Sequence, residues 1–96
     1  MTRGLMLALL VEYKQTLEKA TDGSARPIRD SSKPNLNHLY WMCDQVAVFI
    51  SENRIEKAMR WLGFIQGAFW VLGVRTVEEM KKDNMPRGET YDKDRV

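Results

Sequence analysis

Ninety-six residues with a net charge of +2 suit a single domain and are too evenly charged for a dedicated duplex-DNA binder, which carries a clear basic excess. Hydrophobic residues at 44% exclude a disordered chain. The lone cysteine excludes an internal disulfide and any cysteine-built zinc site, and the lone histidine excludes a histidine-rich metal cluster. A chain of this size buries roughly two-thirds of its unfolded surface, so its core is marginal unless something reinforces it. Self-association is therefore expected.

The segment from about Thr2 to Ala20 is predicted helical, with Thr2 as N-cap and Met6, Leu9, Leu10, Tyr13 and Leu17 recurring at spacings of three and four. Arg3 followed by the apolar run from Leu5 to Val11 resembles the start of a signal peptide. No small-x-small cleavage site follows, and Glu12, Tyr13 and Lys14 continue the helical pattern. Nor does any apolar run approach the roughly 18 residues of a membrane span. A cytosolic location and no membrane partner are expected. Thr21-Asp22-Gly23-Ser24 supplies the stop, with Gly23 free to take a positive φ.

From Thr21 to Lys33 the composition turns to that of a loop punctuated by Pro27 and Pro34. Its cations Arg26, Arg29 and Lys33 are an anion-binding candidate, a solvated connection being the alternative. A second helix begins between Pro34 and Asn37, with Pro34 in the first turn and Asn37 as a later cap. Its stripe is Leu36, Leu39, Met42, Val46, Phe49 and Ile50. The polar point Ser51-Glu52-Asn53, with Asn53 and Glu56 in capping-box spacing, predicts a break and a second antiparallel helix. One helix of nearly 40 residues is the alternative.

The third helix, about Arg54 to Leu72, is apolar on every face. Between Met59 and Leu72 its charge is Arg60 and its other polar side chain Gln66. Gly63 and Gly67 sit four apart, each costing about 1 kcal/mol relative to Ala, which points to close approach of another backbone. A subunit interface or intramolecular packing would each supply one. Thr76 with Glu79 repeats the capping-box pattern and starts a short fourth helix ending before Asn84-Met85-Pro86. Residues 1–85 thus read as one helical domain and 86–96 as a mobile polar tail.

Catalytic signatures are absent: no Gly-rich phosphate loop, nucleophile elbow or His-Glu-x-x-His occurs, and no enzyme is expected. His38 and Cys43 lie about 140° apart on a helix, against a nucleophile–base pair, and Cys43 reads as a small buried hydrophobe. His38 itself reads as a helix-start or core histidine, or else a ligand contact. Asp44 and Glu52, eight apart, read as solvated. Binding chemistry has better material: Tyr40 and Trp41 open the second helix, while Arg60, Trp61, Gln66 and Trp70 populate the third. Aromatic faces near guanidinium groups suit stacked bases and phosphates. Gln66, an amide inside an apolar helix, needs a partner, either on another helix or on a ligand. Arg60 either pairs with a carboxylate such as Asp44 or stays partly wet in a cavity, open to an anion.

The runs His38-Leu39-Tyr40-Trp41-Met42 and Glu56-Lys57-Ala58-Met59-Arg60-Trp61-Leu62-Gly63-Phe64-Ile65-Gln66-Gly67 resemble the helical hairpin of small phage and prophage proteins. More distantly, they resemble the hairpin of the phage anti-CBASS and Thoeris anti-defence sponges, oligomers that sequester cyclic-nucleotide immune signals. The resemblance covers about Asn35 to Asp83 and carries over only Arg60 and Trp61. It implies a phage origin and sequestration of a cyclic-nucleotide or ADP-ribose-type signal in the host cytosol, by binding alone.

The expected fold is all-α: a small antiparallel helical hairpin over about 35–73, an added N-terminal helix and a short C-terminal helix, assembled as a homo-oligomer. The expected function is that of a non-catalytic signal-sequestering protein that inhibits antiphage signalling. Its ligand contacts would come from Arg26, Arg29, His38, Trp41, Arg60, Trp61 and Gln66, with no metal and no cofactor. A helical inhibitor of a host or defence protein, or a structural oligomerisation module, are the alternatives.

Overall fold

Capping and apolar spacing together set the helices in a computed structural model that describes residues 1–29, 32 and 35–85. Lys33, Pro34 and the segment 86–96 read above as a tail lie outside the described residues. Four helices, α1 (Arg3–Ala20), α2 (Leu36–Ser51), α3 (Ile55–Val71) and α4 (Val77–Asp83), account for the regular structure, and no strand occurs among the described residues.

Thr2 caps α1 as expected, its hydroxyl accepting from the Leu5 N–H at 3.1 Å. The cap of α2 differs from the expectation. Asn35, not Asn37, holds extended backbone and accepts from the His38 N–H at 2.8 Å. Asn37 is occupied elsewhere: its side-chain oxygen accepts from the Arg26 N–H at 3.2 Å, and its carbonyl accepts from the Ile28 N–H at 3.3 Å. Those two bonds tie the preceding loop to the start of α2.

The break between α2 and α3 falls where the polar residues place it, but by another mechanism. Asn53 does not cap α3; that position is Arg54, which makes no side-chain cap. Instead Asn53 takes the left-handed conformation (φ 61°) and closes α2. The Arg54 N–H donates to the Phe49 carbonyl and the Asn53 N–H to the Ile50 carbonyl, the paired bonds of a Schellman ending. Arg3 at the start of α1 donates to the Asn53 side chain across the same turn. The end of α3 uses the same device with Gly73 at φ 73°, where a glycine avoids the Cβ penalty. Thr76 and Glu79 form the full capping box at the start of α4.

α1 packs on α2 and α2 on α3. Met6, Leu9, Tyr13 and Leu17 from α1, Leu39, Cys43 and Val46 from α2, and Leu62, Ile65 and Phe69 from α3 form one buried cluster, to which α4 adds Met80. Tyr13 meets Phe69 edge-to-face with centroids 4.9 Å apart, so α1 and α3 also touch. No helix of the described residues is long and apolar enough to cross a membrane.

The expectation of close backbone approach at Gly63 and Gly67 is not met within the chain. A Cβ built at either position finds nothing within 4 Å. Both glycines lie on the outer side of α3, away from the buried stripe Ala58, Leu62, Ile65 and Phe69. Intramolecular packing is thereby excluded as their explanation among the described residues.

Candidate functional site

The seven predicted ligand contacts do not converge on one place. Three of them do: His38 stacks on Trp41 with ring centroids 5.6 Å apart and 23° between planes, and Trp41 meets Trp61 at 6.1 Å. Trp61 in turn sits edge-to-face on Phe49 at 4.8 Å. The result is a half-buried aromatic row along the junction of α2 and α3. Its far end is cationic, with Lys57 and Arg54 placed 4.6 and 5.3 Å from the Phe49 ring.

The backbone of the loop that carries Arg26 and Arg29 reaches the other end. His38 Nδ1 lies 3.3 Å from the Ile28 carbonyl, and the Asn37 bonds hold the flanking backbone. Arg26 and Arg29 are therefore carried on a tethered segment beside the His38–Trp41 stack, with exposed side chains. Planar rings next to guanidinium groups can stack a flat ligand and contact its phosphates.

Gln66 and Arg60 point elsewhere. Gln66 lies on the opposite flank of α3 from Trp61, where its amide nitrogen donates to the Tyr13 hydroxyl at 3.0 Å and to Asn84 Oδ1 at 2.7 Å. Asn84 returns a bond to the Gln66 oxygen at 3.3 Å. The amide inside an apolar helix thus finds its partners on other elements of the same chain. Arg60 is exposed on the outer face of α3. It forms no ion pair among the described residues: of its two expected settings the pair with a carboxylate such as Asp44 is not formed, Asp44 being bound to Lys14 at 2.7 Å. That bond to Asp44 raises the Lys14 pKa. Glu52 meets Arg54 at 3.5 Å, both half-exposed.

Cys43 is buried, and burial pushes its thiol up to about 12, far from the range of a thiolate nucleophile. Among the described residues no group of three or more His, Cys, Asp or Glu side chains could hold a metal ion.

Two arrangements escape the sequence reading. The first is a polar clasp in the interior: Asp83, 4% exposed, accepts from the Tyr13 hydroxyl at 2.7 Å and from Arg75 through both carboxylate oxygens at 2.8 and 2.5 Å. Burial, then the bond to Asp83, raises the Tyr13 pKa. The clasp fixes α4 to α1. A tyrosine on a buried stripe is the signal that could have found it, since its hydroxyl must meet a partner.

The second is the outer face of α3, where Phe64, Trp70 and Val71 are 58%, 60% and 70% exposed around the two bare glycines, flanked by Met59. An open groove beside Trp70 continues this face over Gly73, Val74 and Arg75 to Glu78 and Glu79. No family model, no curated protein and no solved structure matches the chain, so the functional reading rests on these residues and their geometry.

Proposed function

We propose that this chain is a non-catalytic, self-associating binding protein, in which α2 and α3 form an antiparallel hairpin and the outer face of α3 is the subunit contact. The observation that carries the reading is the exposure of Phe64 and Val71 on one face of α3, with Trp70 exposed on its flank. Three large apolar groups exposed along the outer half of one helix of so small a chain mark an interaction site rather than scattered surface residues. Sedimentation velocity across micromolar concentrations tests it: a dimer or larger closed assembly is expected, and a monomer at 100 micromolar, on the order of ordinary working concentrations for such an association, refutes it.

A second reading concerns cargo, and the stacked His38–Trp41 pair beside Arg26 and Arg29 favours it. A planar, phosphate-bearing molecule of the cyclic-nucleotide or ADP-ribose class fits that chemistry. Held tightly by an abundant protein, such an immune signal would be withdrawn from its receptor, which needs no catalysis. The thermal-shift test is a panel of cyclic di- and trinucleotides and ADP-ribose derivatives. Stabilisation by one member, lost in Trp41→Ala and in Arg26→Ala/Arg29→Ala, supports the cargo reading. No shift with any member removes it and leaves the outer face of α3 as the working surface, for a protein partner or for self-assembly alone.

A further inference from the structure

We propose that a second copy of this chain covers the outer face of α3 with the two helices antiparallel, Phe64 of each copy over Gly67 of the other and Arg60 of each copy against the other's Trp70. The inference rests on the self-association reading above and adds its geometry.

The spacing of the face carries the first argument. Arg60, Phe64, Gly67 and Val71 follow one another at four, three and four residues, the rhythm of a helix–helix seam. Along that seam an exposed aromatic ring is followed by a bare backbone: Phe64 is 58% exposed, and Gly67 has nothing within 4 Å of its Cβ position. Turned end for end, the seam is its own complement. Phe64 then meets Gly67 in both directions, and the ring of one copy fills the notch in the other. A two-fold axis makes the two contacts identical. In a parallel pair Phe64 meets Phe64 and Gly67 meets Gly67, which leaves one crowded layer and one void.

Charge carries the second argument. Arg60 lies in the N-terminal half of α3, exposed and without an ion pair among the described residues. The other end of the face carries Trp70 and a groove lined by Arg75, Glu78 and Glu79, in which Arg75 already meets Glu79 and Lys81 meets Glu78. Antiparallel pairing brings the guanidinium of one copy to the exposed indole of the other, and also opposes the two helix dipoles. Parallel pairing places the two Arg60 side chains together. The segment 86–96 is a poor substitute as cover, since Tyr91 and Val96 are its large apolar side chains beside six charged ones.

Oxidative cross-linking in a Cys43→Ala background tests the geometry, with Arg60→Cys and Val71→Cys made separately and tagged to differ in mass. The expected result is a disulfide-linked heterodimer after mixing, with little linkage of either variant to itself, because only the mixed pair brings the two sites within disulfide reach. Arg60→Glu should weaken self-association at least tenfold by sedimentation, with Arg60→Lys in between. Efficient linkage of Arg60→Cys to itself overturns the antiparallel arrangement while leaving self-association intact. A dimer that cross-links at neither site overturns the assignment to this face. A wild-type chain that remains monomeric overturns the self-association reading and this inference with it.

Discussion

Tyr13 and Asp83 stand 70 positions apart in the chain and share a 2.7 Å hydrogen bond, both buried. The tyrosine is in α1 and the aspartate ends α4, so the bond ties the first helix to the last. Arg75 neutralises the carboxylate from a third direction, with a fifth of its own side chain in water. Removing the hydroxyl by Tyr13→Phe leaves one carboxylate oxygen and the Gln66 amide each short of a partner, at about 1–3 kcal/mol. A melting temperature lower by about 4–8 °C per kcal/mol is expected for a domain of this size, read by calorimetry. Asp83→Ala should cost more, about 3 kcal/mol, because it removes the bidentate partner of Arg75, to which the longer 3.4 Å contact with Glu79 alone remains, and leaves the Tyr13 hydroxyl without its acceptor. Equal stability of Asp83→Ala and wild type would show that the clasp contributes nothing.

Alkaline stability follows from the same residues. Cys43, Tyr13 and Lys14 all have raised pKa values in the folded chain, by burial for the first two and by the Asp44 bond for the third. For each, the unfolded chain loses its proton first, so the contribution is complete below the unfolded value and is lost as pH rises towards the folded one. The decline should begin near pH 9 with Cys43 and steepen above 10 as Tyr13 and Lys14 join. Each group adds a slope of about 1.4 kcal/mol per pH unit. Urea unfolding between pH 7 and 11 measures it, and Tyr13→Phe should flatten the steeper part.

Cys43 also reports on opening. With its thiol buried and mostly protonated, reaction with a disulfide reagent at pH 8 should be slow and limited by unfolding. Low urea should accelerate it along with the unfolded fraction. Rapid labelling of the native chain would contradict the burial of this side of α2.

The turn between α2 and α3 gives a local test. Asn53 adopts φ 61°, which an asparagine tolerates and a β-carbon without a polar group tolerates less. Asn53→Ala should cost about 1–2 kcal/mol, while Asn53→Gly should be near neutral, since it gives up no more than the exposed hydrogen bond from Arg3. Chemical denaturation of the two variants separates backbone strain from that bond.

At Gly67 the open space changes the expected sign. Within one copy, Gly67→Ala meets nothing and gains helix propensity, so the fold should be stabilised by about 0.8–1 kcal/mol at dilutions where single copies prevail. Gly67→Leu should be equally harmless to the isolated fold yet raise the dissociation constant for self-association, because it fills the notch that Phe64 is proposed to occupy. A lower melting temperature at high dilution would show that the glycine has a neighbour within its own chain after all.

Helix starts at Thr2 and Thr76 are legible because capping is a contact within four residues, visible as a pattern. The α2 start is not, since Asn35 and Asn37 can both cap, and what decides is the distant backbone of Arg26 and Ile28 claiming Asn37. The α2–α3 break is readable in place, from the polarity of residues 51–53, but not in mechanism: a capping-box spacing and a left-handed helix ending both favour asparagine. On α3 the rotation of about 100° per residue already separates Trp61 from Gln66 by about 140°, which sets the two on different flanks of the helix within one copy. An inter-helix partner for Gln66 is inferable from the cost of a lone buried amide, whereas Tyr13 and Asn84 as those partners are not, being 53 and 18 residues away. The aromatic row is half legible: His38 and Trp41 lie three apart on one helix, but Trp61 joins them only through the packing of α2 on α3.

The clasp of α4 also orders events in time. α1 packs on α2 and α2 on α3, neighbours along the chain, so most burial closes short loops, which form fast. Asp83 must instead find Tyr13 across nearly the whole length, and loop closure grows costlier with separation. Folding should therefore proceed as a quick collapse of α1 to α3, followed by the docking of α4. Amide exchange would record this in reverse, with α4 opening well before the Leu39–Val46 stretch of α2. During synthesis the three-helix core can assemble as it emerges, while the Gln66 amide and the Tyr13 hydroxyl stay wet until the ribosome has released the carboxylate and amide that complete them.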